Sequence, residues 1–152
     1  MIETIRTNST HPDFIKLVRL LDSYLKTVDG DENEFYHQYN GIENLNHVVV
    51  AYFNNSSVGC GSFKKFNNDS VEIKRMFVID DFRGKGIATI ILKDLESWAT
   101  ELHFSRCILE TGKRQTEAIM LYKKNNYYVT ENFPPYVGVD NSLCFEKVIS
   151  EQ

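Results

Sequence analysis

The sequence has little of what marks secreted, disulfide-bonded or membrane-spanning proteins. Its 152 residues include only 3 cysteines, Cys60, Cys107 and Cys144, and these form no C-x-x-C pair. So few and so widely spaced thiols predict neither a disulfide framework nor a zinc site. No apolar run approaches the length of a membrane span, and the first residues lack the apolar core of a signal peptide. We therefore expect a reduced, cytoplasmic protein without a metal.

Positive charge is not in excess either. The formal net charge is −4 at pH 7, so a general surface for nucleic acid or for an acidic membrane is not expected. The hydrophobic fraction of 42% and the charged fraction of 25% are typical of a globular domain. A chain of this length buries one ordinary core, so residues 1–152 are predicted to form a single domain.

Hydrophobic periodicity predicts the order of the helices and strands. One helix is expected to begin near Pro12 and to end before Asp29, and residues 31–40 are expected to form a short helix or an ordered loop. The remaining predictions are strands at 2–7, 47–53, 58–66, 71–79, 106–111, 127–130 and 142–148, and helices at 86–102 and 115–125. The order β-α-α-β-β-β-α-β-α-β-β predicts an α/β (α+β mixed) fold with a central mixed sheet and helices on both faces.

A glycine-rich turn, Arg83-Gly84-Lys85-Gly86-Ile87-Ala88, joins a predicted strand to a predicted helix. A glycine turn that opens a helix presents unpaired backbone N–H groups and the positive end of the helix dipole. Such a place binds anions, and phosphate is the usual ligand. Arg83 and Lys85 are expected to add mobile positive charge there.

Two nucleotide-binding motifs do not fit this turn. A P-loop requires Gly-x-x-x-x-Gly-Lys-Ser/Thr, which the sequence lacks. The dinucleotide fingerprint requires Gly or Ala three residues after its second glycine, and Thr89 stands there. Glu110, at the end of the next predicted strand, is suited to imitate the ribose-binding acid of that fingerprint, so a dinucleotide site remains an alternative.

Three segments in register carry a family resemblance. Residues 83–88 follow the pattern Arg/Gln-x-x-Gly-x-Gly/Ala, residues 72–78 form a strand that begins with an acidic residue, and residues 115–127 are close to Asn-x-x-Ala-x-x-x-Tyr-x-x-x-Gly-Phe. In these motifs the chain resembles the GNAT superfamily of acyl-CoA-dependent N-acyltransferases, and its small bacterial members in particular. Gln115 replaces the usual Asn and keeps an amide. Asn126 replaces the usual Gly, and Asn tolerates the left-handed backbone of a helix end.

The resemblance implies acetyl-CoA as the cosubstrate, with the pyrophosphate in the glycine turn. Backbone N–H groups at the end of the central strand would bond the cofactor and polarise its carbonyl. An amide and a phenol on one face of the later helix would meet the pantetheine chain and the sulfur. The implied cofactor-binding residues are Met76, Phe77, Val78, Arg83, Gly84, Lys85, Gly86, Ile87, Ala88, Gln115, Ala118 and Tyr122. A homodimer is also implied.

The candidate catalytic residues are Glu72 and Tyr122. An amine with the lysine pKa of ~10.4 is neutral in about one molecule in 2,500 at pH 7, so a base beside it matters. Glu72 is the candidate base, directly or through water, and on an ideal strand it shares one face with Lys74, Met76 and Val78. The alternative for Glu72 is a solvent-facing strand residue that pairs with Lys74 or with a neighbouring strand. Tyr122 is the candidate acid for the leaving thiolate, and a packed helix aromatic is its alternative.

Together these residues predict an N-acetyltransferase that moves an acetyl group from acetyl-CoA directly to a primary amine, either a small molecule or an amino terminus. A non-catalytic acyl-CoA or nucleotide-binding sensor is the alternative. Acidic residues in the segments 31–40 and 133–142 weakly favour a cationic amine. The loop around Tyr136 either borders the acceptor site or is only a rigid connection.

Overall fold

The computed structural model describes residues 1–29 and 45–150, and the segment predicted at 31–40 lies outside the described residues. The elements are β1 (Ile2–Thr7), α1 (Pro12–Asp29), β2 (His47–Phe53), β3 (Ser56–Lys65), β4 (Ser70–Val78), α2 (Ile87–Glu101), β5 (Arg106–Gly112), α3 (Thr116–Lys124), β6 (Tyr128–Thr130) and β7 (Ser142–Val148). A short 3-10 turn, Asp80–Phe82, precedes the glycine turn. Among the described helices, none is long and apolar enough to cross a membrane.

The described strands form one mixed sheet in the order β1-β2-β3-β4-β5-β7-β6. In it β4 and β5 run parallel, and the other neighbouring strands run antiparallel. A parallel pair needs a crossover connection, and α2 supplies it. Because α1 packs on one face of the sheet and α2 on the other, the predicted mixed sheet with helices on both faces is confirmed.

Each face of the sheet has its own apolar cluster. Under α1, Phe14 and Leu17 pack against Val48, Val50 and Cys60. The larger cluster lies under α2, whose buried stripe recurs every four residues: Ile87, Ile91, Leu95 and Ala99. Side chains four apart share one face of a helix, so this stripe, together with the buried Leu92, packs α2 onto the sheet.

A β-bulge interrupts β4. The pairing of β3 with β4 shifts between Cys60 and Ser62, so Arg75 and Met76 lie opposite Gly61 alone. Arg75 takes up the extra residue with a φ of +60°, in the left-handed region. The strand therefore gains one residue in its middle without losing its partner.

The bulge inverts the alternation of side chains along β4. Before it, Glu72 and Lys74 lie on the face opposite the α2 cluster, while after it Met76 and Val78 pack into that cluster. The expectation that these four residues share one face is therefore wrong. An ideal strand alternates without interruption, and one inserted residue sends every later side chain to the other face.

The parallel pairing of β4 with β5 is short. It runs over three residue pairs and stops at Glu72 and Ile108. Beyond that point β4 pairs only with β3, to Val78, and β5 pairs only with β7, to Gly112. The two strands separate toward their carboxyl ends, and along this gap the edge of β4 has no strand partner among the described residues. Its backbone groups are available to a ligand.

The contact between β3 and α2 generates a stability prediction. A Cβ at Gly61 would meet the Met76 sulfur and would lie 2.9 Å from both Ile91 Cγ2 and Leu95 Cδ1. We expect Gly61→Ala to overpack this contact and to cost about 1–3 kcal/mol of unfolding free energy, which a thermal scan would show as a lower Tm. Ser56→Ala, at the exposed start of the same strand, is the control and should shift Tm by less than about 2 °C. An equal Tm for both variants would contradict the close packing.

Candidate active site

A cleft of about 530 Å³ lies beside the carboxyl end of β4. Its walls are the carboxyl end of β4, the glycine turn, the first turn of α2 and one face of α3. This volume is in the range that takes cofactors and small ligands. Of the predicted cofactor-binding residues, those whose atoms line the cleft are Met76, Phe77, Val78, Arg83, Gly84, Gly86, Ile87, Ala88, Gln115, Ala118 and Tyr122.

The glycine turn is shaped to receive an anion. Gly84 and Gly86 have φ values of +77° and +81°, a conformation that side chains rarely adopt. Gly86 is the N-cap of α2, and no side chain of the described residues caps the first N–H groups of that helix. These donors have no acceptor within the helix, so an anion in the cleft would find them together with the helix dipole.

The two cations of the turn behave differently. Arg83 Nε donates to the Val78 carbonyl at 2.9 Å, Nη1 pairs with Asp80 at 3.0 Å, and the guanidinium lies 4.9 Å from the centre of the Tyr24 ring. Arg83 thus brings a positive charge to the cleft and links β4 to α1. The sequence analysis predicted a mobile charge at this position, but these contacts hold the side chain in place. Lys85 is exposed, and its side chain does not line the cleft.

Tyr122 occupies the inner end of the cleft. Its ring is 6% exposed and packs edge-on against Tyr127, with 5.8 Å between the ring centres. Among the described residues its hydroxyl has no hydrogen-bond partner. Burial, with a smaller contribution from the charge of Glu110, raises the pKa of Tyr122 well above its ordinary value. Tyr122 is therefore packed as an aromatic and still presents a protonated hydroxyl.

A smaller pocket of about 90 Å³ adjoins the cleft. It lies between α1, β4, β5 and the loop before β7. The cleft and this pocket have five lining residues in common, Leu21, Met76, Gln115, Ala118 and Tyr122. The predicted shared face of α3 is thus the boundary between two cavities, and a group bound in one can meet a group bound in the other there.

Ionisable side chains line the smaller pocket. Glu72 is 4% exposed, and its Oε2 lies 3.4 Å from Lys74 Nζ. Burial lowers the pKa of Lys74, and the carboxylates of Glu72 and Glu110 oppose that shift. Glu110 is half-buried and accepts a hydrogen bond from Ser142 Oγ at 2.7 Å. The pocket therefore places the carboxylates of Glu72 and Glu110 in one cavity with Tyr122, and the positive charge of Lys74 interacts with both.

The position of Glu110 argues against the alternative of a dinucleotide site. The ribose-binding role would require this carboxylate in the same cleft as the glycine turn, but Glu110 lines the smaller pocket instead. The sequence analysis did not predict that Glu110 and Tyr122 line one pocket. The feature of the sequence that could have indicated it is a charged residue near the end of a buried strand.

Several site residues were missed or left open. Leu21 and Tyr24 of α1 line the cleft, and nothing in their helical periodicity distinguishes them from core residues. Tyr136 is 1% exposed and lines the smaller pocket, which favours the interpretation that its loop borders that site. Asn126 has a φ of +70°, so the predicted left-handed end of α3 is confirmed.

The described residues hold no group of three or more His, Cys, Asp or Glu side chains placed to bind a metal ion. Cys144 is buried and lines neither cavity. Burial, opposed by a backbone hydrogen bond, raises the pKa of its thiol to about 11. A thiol in this setting is a poor nucleophile.

The family comparison agrees with this geometry. The model of the Acetyltransferase (GNAT) family matches residues 14–127. The IAA acetyltransferase of Azospirillum brasilense is 30% identical over 135 residues, which cover 88% of this chain and 88% of that protein. The chain belongs to the GNAT family of acetyltransferases.

Solved structures share the fold. A Klebsiella pneumoniae protein described as an acyl-CoA N-acyltransferase superposes with a TM-score of 0.83 at 26% identity, over 98% of each chain. A GNAT-family acetyltransferase from Elizabethkingia anophelis, solved with acetyl-CoA bound, superposes with a TM-score of 0.67 at 20% identity, over 97% of each chain. The predicted fold and superfamily are confirmed.

Proposed function

We propose that the protein is an N-acetyltransferase that transfers an acetyl group from acetyl-CoA directly to a primary amine. The observation that carries this proposal is the meeting of two cavities at Tyr122, a long cleft with an anion-binding turn and a small polar pocket. A thioester in one cavity and an amine in the other would be held within reach of each other. None of the three cysteines lines either cavity, which supports direct transfer over a route through an acylated cysteine.

The cleft suits the parts of acetyl-CoA. The glycine turn offers backbone donors to a pyrophosphate, and the unpaired edge of β4 offers hydrogen bonds to an extended amide chain. Gln115 adds a side-chain amide from the start of α3. In this arrangement the N–H groups of Phe77 and Val78 would polarise the thioester carbonyl as an oxyanion hole does.

Two carboxylates are proposed as acceptors of the amine proton. Glu72 is the candidate that the sequence indicates, acting directly or through water, and its carboxylate is already engaged by Lys74 at 3.4 Å. Glu110 faces the same pocket, and its charge contributes to the raised pKa of Tyr122. We therefore propose Glu110 for contact with the amine, with Glu72 as its alternative.

Tyr122 is proposed to stabilise the leaving sulfur. A phenol has a reference pKa of ~10 and a thiol ~8.5, so complete transfer of its proton to a thiolate is uphill by about 2 kcal/mol. Burial raises the pKa of Tyr122 further and makes that transfer harder. We therefore propose that Tyr122 donates a hydrogen bond to the sulfur and does not transfer its proton completely, as the predicted acid role would require. Such a hydrogen bond stabilises negative charge on sulfur as the carbon–sulfur bond breaks.

The cofactor is tested first, by thermal unfolding with acetyl-CoA and with NADH as the control. A ligand at one hundred times its Kd stabilises the protein by about 2.7 kcal/mol, so we expect acetyl-CoA to raise Tm by about 5–11 °C. NADH should leave Tm unchanged. A rise with NADH alone would contradict the acyl-CoA proposal.

Release of free thiol then separates enzyme from sensor. An acetyltransferase liberates CoA from acetyl-CoA when an acceptable amine is present, whereas a sensor shows the rise in Tm and no release with any amine. Binding without turnover across a broad amine panel would therefore favour the sensor.

Two neighbouring tyrosines offer a matched pair of variants. Tyr122→Phe should lower kcat by about 10- to 100-fold, because a hydrogen bond to a charged sulfur is lost, and should shift Tm by less than about 2 °C. Tyr127→Phe removes a buried hydrogen bond of 2.8 Å to Glu96, so it should lower Tm and leave kcat close to that of the wild type. Because its raised pKa keeps Tyr122 protonated, the kcat ratio should stay constant over about pH 6.5–9.5. A wild-type kcat for Tyr122→Phe would remove its proposed role.

The carboxylates are compared by Glu110→Gln and Glu72→Gln. Loss of the base should lower kcat/KM by about 100-fold at pH 7 and abolish the acid limb of the pH–rate profile. We expect the larger loss for Glu110→Gln. The reverse order would return the base to Glu72, and unchanged profiles in both variants would exclude both residues.

A further inference from the structure

The smaller pocket buries cations as well as carboxylates. The side chains of Lys74 and Arg75 are 4% and 3% exposed, and both line the pocket. Each has a carboxylate partner, Glu72 for Lys74 and Asp22 for Arg75, as buried charges require. A plain alkylamine would pair with the carboxylates of this pocket but not with these two cations, which offer only hydrogen-bond donors.

Two polar atoms of residues that line the smaller pocket have no hydrogen-bond partner among the described residues. They are Arg75 Nε and Thr111 Oγ1, and with Lys74 these residues form the polar wall of the pocket. Arg75 donates a hydrogen bond from Nη2 to Asp22, and its Nε donates none to the described residues. A buried donor without an acceptor is destabilising, so a ligand with acceptor oxygens would complete this wall. Carboxylate oxygens are such acceptors, and guanidinium groups bind them with particular strength.

The size of the pocket limits the ligand further. The volume of the pocket is about 90 Å³, and a cavity of about 150 Å³ holds one benzene molecule, so the pocket itself takes only a few heavy atoms. An amine at the junction with Tyr122 and an anionic group against Lys74 fit this volume when they lie close together on one small head group.

We infer that the acceptor is a small zwitterion, an α-amino acid. Its amine is directed to Glu110 and Tyr122. Its carboxylate is held by the wall that Lys74, Arg75 and Thr111 form. This inference rests on the proposed function and names the substrate class of the same site.

The transfer balances without any further reactant. The amine nitrogen bonds to the acetyl carbon, and the carbon–sulfur bond breaks with its electron pair on sulfur. The proton that nitrogen loses passes through the pocket carboxylate and ends on sulfur. The products are an N-acetyl amino acid and the free thiol of CoA.

A matched acceptor panel on the wild-type protein tests the inference. Thiol release from acetyl-CoA is measured with L-leucine, with 3-methylbutylamine, which lacks the carboxylate, and with L-leucinamide, which lacks its charge. Alanine and tyrosine sets are built in the same way. The amine pKa is higher in the alkylamine and lower in the amide than in the amino acid, so the analogues bracket the effect of free-base fraction. We expect the best amino acid to exceed both of its analogues in kcat/KM by about tenfold or more.

The outcomes separate the inference from the function on which it rests. If an analogue without the carboxylate is the better acceptor in every set, the zwitterion inference is overturned and the acetyltransferase proposal stands. If no acceptor of either kind releases thiol, although acetyl-CoA raises Tm, the inference and the catalytic proposal are both overturned.

Substitutions in the wall test where the carboxylate is held. Lys74→Met should bring the ratio of kcat/KM for amino acid over alkylamine close to one, and Lys74→Arg, which keeps the charge, should retain the preference. Since Lys74→Met leaves Glu72 without its ion-pair partner, its folding is checked by thermal unfolding. Thr111→Val removes the hydroxyl at nearly constant shape and should lower the same ratio less. An unchanged ratio in both Lys74→Met and Thr111→Val would overturn this assignment.

Discussion

The early end of the pairing between β4 and β5 is the constraint on which the rest of the site depends. Paired parallel strands satisfy one another's backbone groups and leave no room between them. Here the pairing stops at Glu72 and Ile108, so within the described part of the chain the carboxyl half of β4 keeps an unpaired edge. Buried backbone donors without acceptors are costly, and an extended ligand with amide groups satisfies them. The glycine turn and α3 border the cleft into which this edge of β4 faces.

The polar atoms that the fold leaves unpaired gather around that space. Among the described residues, Tyr127 gives its hydroxyl to Glu96 at 2.8 Å, while Tyr122, in contact with it, has no partner. Two buried side-chain atoms that have no partner within residues 1–29 and 45–150, Arg75 Nε and Thr111 Oγ1, lie in the pocket beside it. Native proteins pair nearly all buried polar groups, so a concentration of exceptions at one junction is the mark of a binding site. The bulge contributes to it, because it turns Arg75 to the side of the sheet that Lys74 faces.

The sequence by itself determined the elements and their order. The strand before the glycine turn, the turn and α2 form a strongly periodic unit, and stripes such as Ile87, Ile91 and Leu95 are local patterns that the folded chain only has to bury. The shared face of Gln115, Ala118 and Tyr122 likewise follows from helical geometry. These features depend on neighbours along the chain, which is why they could be predicted.

The tertiary structure alone decided what those residues face. An ideal strand carries no sign of the bulge at Arg75, because the extra residue is defined by its pairing with Gly61 on another strand. Glu110 and Tyr136 line one pocket with Tyr122 only when distant segments fold together. The raised pKa of Tyr122 comes from burial, and the fixed position of Arg83 from contacts with β4 and α1. Residue types and spacing specify which groups are present, and long-range packing sets their solvation, charge and partners.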